Sequence, residues 1–268
     1  MLGEITVRAG GIAFRGHPGT APDRGFFILR EGVTGLVGAG VGIDREQSRR
    51  QGAHGTLYAR GWRDGRTISI SGLAVARDAF EFRKMADQFA SCLADGYDAP
   101  IVAKLPDGEV REYFGGLASA PEWNELVGGL MARFLIQFWC PDPRAYGTRR
   151  SFSRMTPGLL DVYNRGNFEA RPVASALTTA AMDGFQFKLF DGARQLGNLR
   201  MNGLPAGQLV AVDMASGRCT LNGVPTNGLI HSGNSWHIPP QKSFQVMLER
   251  SGAIAPALPG VTFRDPFM

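Results

Sequence analysis

The sequence has few of the residues that cross-link a fold or anchor it in a membrane. Only three cysteines occur among its 268 residues (Cys92, Cys140 and Cys219); they form no CxxC pair and have no zinc-site spacing. We therefore expect three buried free thiols. No run of 18 apolar residues is present, and the N-terminal residues lack the basic start and long apolar stretch of a secretory signal. These absences favour a protein without a membrane segment that folds in a cytosol.

Motifs for catalysis and phosphate binding are also missing. The stretch GLVGAGVG (35–42) completes no GxGxxG, and no lysine and hydroxyl residue follow it as in a P-loop. The four histidines form no HExxH, GxSxG is absent, and no serine or cysteine stands in a recognisable nucleophile context. We expect no enzymatic activity, no catalytic residue, no metal site and no cofactor. Paired carboxylates stay open, because only the fold decides which acids meet.

The charges divide the chain into two parts. Residues 1–146 contain 17 basic and 17 acidic residues, whereas residues 147–268 contain 12 basic and 7 acidic residues and so carry the whole net charge of +5. A basic part is compatible with an anionic partner, but its arginines are scattered singly, which disfavours specific nucleic-acid binding. The charge asymmetry predicts two units with different surroundings.

The first part reads as strands with one helix. Asp78 is an N-cap candidate for a helix over 79–94, where apolar residues recur at helical spacing and Gly96 stops the run. A strand is predicted over 66–76, interrupted at Gly72, where it could bulge or change face. Strands at 100–105 and 109–114 flank the turn sequence Pro-Asp-Gly and predict a hairpin. The apolar run 131–139 predicts a buried strand that two prolines end.

The second part reads as short strands and turns. Asn-Gly pairs at 202, 222 and 227 and Asp-Gly pairs at 183 and 191 predict hairpin turns. Alternating apolar residues at 185, 187 and 189, and again at 244, 246 and 248, predict half-buried strands, and no long helix follows residue 147. This spacing is typical of a β-sandwich or a β-barrel. We predict a mainly β protein with one helix and two domains, 1–146 and 147–268.

Four segments resemble distal tail proteins of long-tailed siphophages. FWCPDPRAYG (138–147) resembles the segment that closes the family's first domain, and NRGNFEARP (164–172) is similar to the start of its second. LPAGQLVAVD (204–213), followed by LNG (221–223), is similar to a strand of that second domain, and RTISISG (66–72) matches an arginine-led strand. The C-terminal turn WHIPPQK (236–242) departs from the pattern, because Pro240 stands where glycine is usual.

The resemblance implies a structural role and a location in the virion. It implies a protein made in the host cytoplasm and placed at the tail tip, forming a homohexameric ring that joins the tail tube to the hub or tail-associated protein and to receptor-binding or tail-fibre proteins. The genome would pass along the ring lumen without specific recognition. The first domain would be a ring-forming, tail-tube-like β-sandwich or barrel with a flanking helix, and the second a galectin-like β-sandwich.

A ring also predicts where its joints lie. Each subunit of a ring presents one surface to a different surface of its neighbour, and the neighbour can cover strand edges. The segments 25–33 and 35–50 mix apolar residues with arginines, and Arg45, Arg49 and Arg50 lie close together. We hypothesise that these three arginines contact acidic groups on an adjacent subunit or ring. A solvated loop is the alternative.

Two other function classes stay open. A carbohydrate-binding protein would attach to host cell-surface sugars through the second domain, with Trp236 and His237 as the contact residues; a half-buried tryptophan of a sandwich is the simpler interpretation of Trp236. A cell-wall hydrolase would need a converging acid and base, which the sequence does not indicate.

Overall fold

The computed structural model describes residues 5–16, 24–38, 41–51, 53–54, 56–126 and 128–268. By its internal contacts the chain divides into two compact units, Met1–Ala145 and Tyr146–Phe267. Both units are built mainly from strands, and the described residues contain one α-helix. The predicted fold class, mainly β with a single helix, is confirmed.

The described residues of the first unit form twelve strands. They are β1 (Thr6–Ala9), β2 (Ile12–Gly16), β3 (Gly25–Thr34), β4 (Ile43–Asp44), β5 (Gln47–Arg49), β6 (Thr56–Tyr58), β7 (Trp62–Arg63), β8 (Arg66–Val75), β9 (Ala99–Lys104), β10 (Val110–Leu117), β11 (Glu122–Glu125) and β12 (Met131–Cys140). Eight of them form one sheet in the order β11-β12-β8-β3-β2-β1-β9-β10, and β10 also pairs with β12. This last pairing closes the sheet on itself, so the unit is a barrel with β11 as an added edge strand.

The barrel core is an aromatic cluster that the helix covers. Phe14, Phe26, Phe89 and Phe134 have ring centroids 5.5–6.0 Å apart in their contacts, and Trp123 lies 5.4 Å from Phe89. Phe89 belongs to α1 (Ala79–Ala90). Aromatic side chains bury large areas and pack edge to face at such distances, so they hold the helix against the barrel.

The helix begins where the sequence predicts and ends earlier. Asp78 is the N-cap: its side chain accepts a hydrogen bond from the Glu81 backbone N–H at 2.8 Å, and Glu81 in turn accepts one from the Arg77 N–H. The predicted end at residue 94 is wrong, because Leu93 adopts φ +52° and Gly96 φ +76°. A left-handed backbone at these residues ends the helical hydrogen bonding.

Strand β8 keeps one face buried along its whole length. Of the two alternatives for Gly72, the change of face does not occur, because Ile68, Ile70 and Ala74 are all buried. The irregularity lies in the partner strand β3, whose register with β8 shifts just after the Ile28–Gly72 pair. Gly72 belongs to the same buried row, and a Cβ there would lie 2.1 Å from the Phe27 carbonyl oxygen and 2.5 Å from the Phe134 ring. Glycine therefore makes room for Phe134.

The hairpin and the long apolar strand are both present. Strands β9 and β10 pair antiparallel around the predicted Pro-Asp-Gly turn. Strand β12 pairs with β8 over ten residues, but it is buried on one face only, because Met131 and Trp139 are exposed. The predicted buried strand is therefore present with one face in the core, since alternate residues of a barrel strand point outward.

The second unit is a β-sandwich of twelve strands. They are β13 (Ala145–Ser153), β14 (Leu159–Tyr163), β15 (Val173–Thr178), β16 (Met182–Asp191), β17 (Arg194–Leu204), β18 (Leu209–Asp213), β19 (Cys219–Leu221), β20 (Val224–Pro225), β21 (Ile230–Gly233), β22 (Ser243–Arg250), β23 (Ala253–Ile254) and β24 (Ala257–Phe267). One sheet has the order β13-β24-β15-β18-β19-β20 and the other β14-β22-β16-β17-β21, with β23 beside β22. A single apolar core joins the inner faces, including Phe187 and Phe244 from one sheet and Val212 and Val261 from the other.

The turn predictions for this unit are correct at two of five positions. Asp191-Gly192 and Asn222-Gly223 form the β16–β17 and β19–β20 hairpin turns. Asn227-Gly228 is a turn, but it connects strands of different sheets, and Asp183-Gly184 and Asn202-Gly203 lie inside β16 and β17. The last two pairs are held in strands because Gly184 is paired with Asn202 across the ladder.

Two segments of the family pattern meet in a buried hydrogen-bond network. The fully buried Asn164 donates to the carbonyl oxygens of Phe168 and Ile238 at 2.8 and 3.1 Å, and its own side-chain oxygen accepts from Gly166 N–H. The backbone N–H of Gln241, a residue at φ +56°, donates to the Asn164 carbonyl. These residues shape the connections of the sandwich, because buried polar groups must be hydrogen-bonded.

Candidate functional site

A β-ribbon leaves the barrel between β3 and β8. We call residues 43–63 the arm: β4 pairs with β7 and β5 with β6, and a hydrogen bond from Ala59 N–H to the Glu46 carbonyl joins the two ladders. The described side chains of its strands are exposed, including the apolar Ile43 (59%), Leu57 (53%) and Trp62 (66%). A two-stranded ribbon is only marginally stable alone in water. The arm therefore has the character of a segment that packs on something else.

The three predicted interface arginines all lie on the first half of this arm. Arg45 connects β4 to β5 with its guanidinium over Gly61, Arg49 ends β5, and Arg50 follows it. All three are exposed, and among the described residues no ion pair is formed by Arg49 or Arg50. The other predicted joint segment, 25–33, is β3 of the barrel, with its apolar residues at 26–28 buried.

A second exposed surface lies on the barrel wall. On β9 and β10, the residues that point outward include Pro100, Val110 and Phe114, because Tyr113 and its cross-strand partner Ile101 fill the interior. Trp139 of β12 lies on the same face, because it is paired with Gly116 of β10. Phe114 is 53% and Trp139 49% exposed. We call these four residues the hairpin face.

Sequence reasoning missed the hairpin face, although a signal for it exists. Tyr113-Phe114 and Phe138-Trp139 are adjacent aromatic pairs within strands. Successive side chains of a strand point to opposite faces, so one aromatic residue of each pair has to leave the core. The prediction of a buried strand over 131–139 did not include this outward row of side chains.

The two predicted sugar-contact residues lie in the loop before β22. The Trp236 side chain is 5% exposed, with its ring over Gly197, whereas His237 is exposed and its Nε2 lies 3.2 Å from a Glu169 carboxylate oxygen. A cavity of about 570 Å³ adjoins them. Its polar lining includes Gln195, Asn198, Asn234, Ser235 and His237. Trp236 offers no open ring face for stacking on a sugar, so any contact there would rely on hydrogen bonds.

The described residues form no metal site, and the three cysteines are not reactive thiols. No group of three or more histidine, cysteine or acidic residues in the described ranges is placed to hold a metal ion. The three cysteines are buried and free, and burial raises the pKa of Cys92 and of Cys140 to about 11. A thiol with so high a pKa is a poor nucleophile at neutral pH. Among the residues of known placement, no helix has the length and hydrophobicity needed to cross a bilayer.

The chain resembles solved structures of phage adsorption proteins. The Dit (gp 19.1) protein of phage SPP1, described as a paradigm of the hub adsorption apparatus in phages that infect Gram-positive bacteria, superposes with a TM-score of 0.75. The identity is 17%, and the match covers 98% of this chain and 99% of that one.

Two further likenesses are weaker. Two structures of the phage P2 baseplate in its activated conformation, with Ca and with Sr, match at TM-scores of 0.46 and 0.43, with 9% and 8% identity. They cover 98% and 97% of each chain, but such scores carry no argument. No protein-family model and no curated protein matches the sequence. Along nearly its entire length, the chain has the fold of the SPP1 Dit protein, which is the fold that the resemblance to distal tail proteins predicts.

Proposed function

We propose that this protein is a non-enzymatic structural subunit of a siphophage tail tip. The observation that carries the proposal is the fold shared with the SPP1 Dit protein over 98% of this chain. The four sequence segments that resemble distal tail proteins support the same role. Fold alone does not fix function, so the exposed surfaces of the first unit are the second support. An arm and a wall that expose aromatic side chains are typical of proteins that assemble.

The proposed assembly is a homohexameric ring of the first units in the virion. The ring would join the tail tube to the hub and to receptor-binding or tail-fibre proteins, with the second unit as a galectin-like sandwich. We assign the arm to the joint between subunits, with Arg45, Arg49 and Arg50 facing acidic groups. A cationic segment meets an acidic partner favourably, and this attraction also selects the correct partner.

Reversing the three arginines tests the joint. In R45E/R49E/R50E we expect the ring to be lost or weakened by roughly tenfold or more, because each attraction becomes a repulsion. Native mass spectrometry or light scattering would measure the number of subunits. The wild-type protein is expected to form a closed multimer of six subunits that weakens at high salt, since salt screens exposed charges.

A matched variant separates local contacts from total charge. R83E/R165E/R194E makes the same change in charge at three exposed arginines outside the arm. It is expected to assemble like the wild type. Rings of unchanged stability in the arm variant would refute the arginine contacts, and a chain that stays monomeric even with its tail-tube partner would refute the ring itself.

A second candidate function is binding to host cell-surface sugars through the second unit. The polar cavity beside His237 favours it, because sugar hydroxyls are bound by side chains that donate and accept hydrogen bonds. Titration of the wild type and of His237→Ala with cell-wall polysaccharide tests it by calorimetry. Binding that weakens several-fold in the variant supports the candidate. An intact ring that binds no polysaccharide would contradict sugar binding and leave the structural role as the one proposed function.

A further inference from the structure

We propose that the arm of one subunit docks on the hairpin face of an adjacent copy of this chain. The inference rests on the proposed ring and goes further, because it names both surfaces of the joint. The arm supplies Ile43, Leu57 and Trp62, and the hairpin face supplies Phe114 and Trp139.

Both surfaces expose apolar area that the isolated subunit leaves in water. The arm residues are 53–66% exposed, and Phe114 and Trp139 are about half exposed. Burying apolar surface is worth about 25 cal/mol per Å², and large exposed apolar patches mark sites of association. The barrel wall is rigid at this point because Tyr113, next to Phe114, is fully buried and donates a hydrogen bond to the Leu36 carbonyl.

The charges of the two segments are complementary. The arm (43–63) carries five arginines and two acidic residues, a formal charge of +3. The segment 95–114, which contains the β9–β10 hairpin, carries five acidic residues and two basic ones, a formal charge of −3. Asp107 and Glu109 stand at the hairpin turn, and Asp98 lies beside Gly116 at its other end. An acidic rim around an apolar centre fits an arginine-rich ribbon with apolar side chains.

We assign a second copy of this chain as the partner of the hairpin face. The arm and the hairpin face are different surfaces of one chain, so each copy can offer its arm to the hairpin face of the next. A contact between two different surfaces of identical subunits leaves one of each free, so it continues from copy to copy until a ring closes. The base of the arm also adjoins the hairpin face: Gly65 follows β7, and a Cβ on it would lie 2.7 Å from the Trp139 indole nitrogen. In each subunit, the base of its own arm thus lies next to the surface that receives the neighbour's arm.

Cross-linking between two single-cysteine variants tests the pairing. Leu57→Cys and Phe114→Cys would be co-expressed and treated with a short bis-maleimide, and the cross-linked dimer would be measured on a denaturing gel. Both positions are 53% exposed, so both variants should fold. The native cysteines are buried, and their raised pKa values keep background reaction low.

Phe80→Cys provides the matched control. Phe80 is 82% exposed on α1 and belongs to neither the arm nor the hairpin face, so it is the more reactive site if contact is random. We expect the 57/114 pair to cross-link roughly tenfold faster than the 57/80 pair, because docking raises the effective concentration of the two thiols.

The outcomes separate this inference from the proposed ring. A closed multimer with rapid 57/114 cross-linking supports both. A closed multimer without it overturns the docking surface and leaves the ring, and equal rates for the two pairs also overturn the docking surface. A protein that stays monomeric both alone and with its tail-tube partner, and forms no cross-link, overturns both. A ring that forms only after another tail protein is added, still without the 57/114 product, assigns the hairpin face to that protein instead.

Discussion

The two units place their aromatic side chains differently. Among the described residues, the large aromatic side chains exposed by the first unit are Trp62, Phe80, Tyr97, Phe114 and Trp139. The second unit exposes only Tyr163 among the residues of known placement, and holds Trp236 in its core. The two units are of similar size, so size does not explain the difference in exposed aromatic residues. The second unit keeps most of its aromatic residues buried or half-buried within its own sandwich, whereas the first leaves five of its described ones exposed.

They also differ in what their cores contain. The sandwich buries the short polar residues Asn164 and Thr178, both hydrogen-bonded, and Asp265 beside Arg150. The barrel buries Arg66, whose guanidinium donates to three backbone carbonyls. A buried cation is costly unless it is well bonded, so the barrel depends on one side chain to a degree that the sandwich does not.

Arg66→Met gives the largest stability effect that we expect. Arg66 bonds the carbonyls of Pro143, Gly35 and Leu36 at 2.8, 2.9 and 3.4 Å, and its guanidinium lies over the Tyr113 ring. Methionine fills part of the volume but donates no hydrogen bond. The Pro143 and Gly35 carbonyls lose this donor and the Leu36 carbonyl keeps only the Tyr113 hydroxyl, so the free energy of unfolding of the first unit should fall by about 3 kcal/mol. Urea unfolding followed by tryptophan fluorescence measures it.

The second unit serves as the internal control for this variant. A protein that keeps only Trp236 reports the sandwich, and its unfolding midpoint is expected to be unchanged by Arg66→Met. Arg66→Lys should fall between the wild type and the methionine variant, because an ammonium group cannot reproduce the planar fork of a guanidinium. Equal loss of stability in both units would show that they unfold together, and no loss in either would remove Arg66 as a determinant of the barrel.

The sequence predicts the local elements better than it predicts what they contact. Asp78, the Pro-Asp-Gly turn and the alternation around Phe187 depend on nearby residues, and each element is where the pattern puts it. Asn202-Gly203 fails because its turn preference is overridden by pairing with β16. A local preference of about 1 kcal/mol yields to a ladder of hydrogen bonds and a buried face.

Of the two surfaces of the candidate interface, the sequence predicts the arm but not the hairpin face. Arg45, Arg49 and Arg50 are recognisable as a cluster along the chain, and the structure places all three on one exposed ribbon. The hairpin face combines β10 with Trp139, which is 25 residues further along the chain than Phe114. Their contact follows from the closure of the barrel, which no local pattern encodes. The burial of Trp236 was not predictable for the same reason, because the contact of its ring with Gly197 depends on the fold of the sandwich.

Asp78→Asn should give the smallest effect of the predicted variants. It tests a difference between the units, because the one helix of the described residues belongs to the first unit. A hydrogen bond from the Glu81 backbone N–H lowers the pKa of the Asp78 carboxyl below its usual 3.8. The native state therefore favours the carboxylate. Its stabilising contribution is complete above about pH 4 and is lost as the pH falls through the lowered pKa. Asp78→Asn keeps a capping oxygen but removes the titration. We expect the melting temperature of the variant's first unit to fall less steeply than that of the wild type below pH 4, with the curves parallel at neutral pH. Identical acid limbs would mean that other carboxyl groups set the acid stability of the barrel.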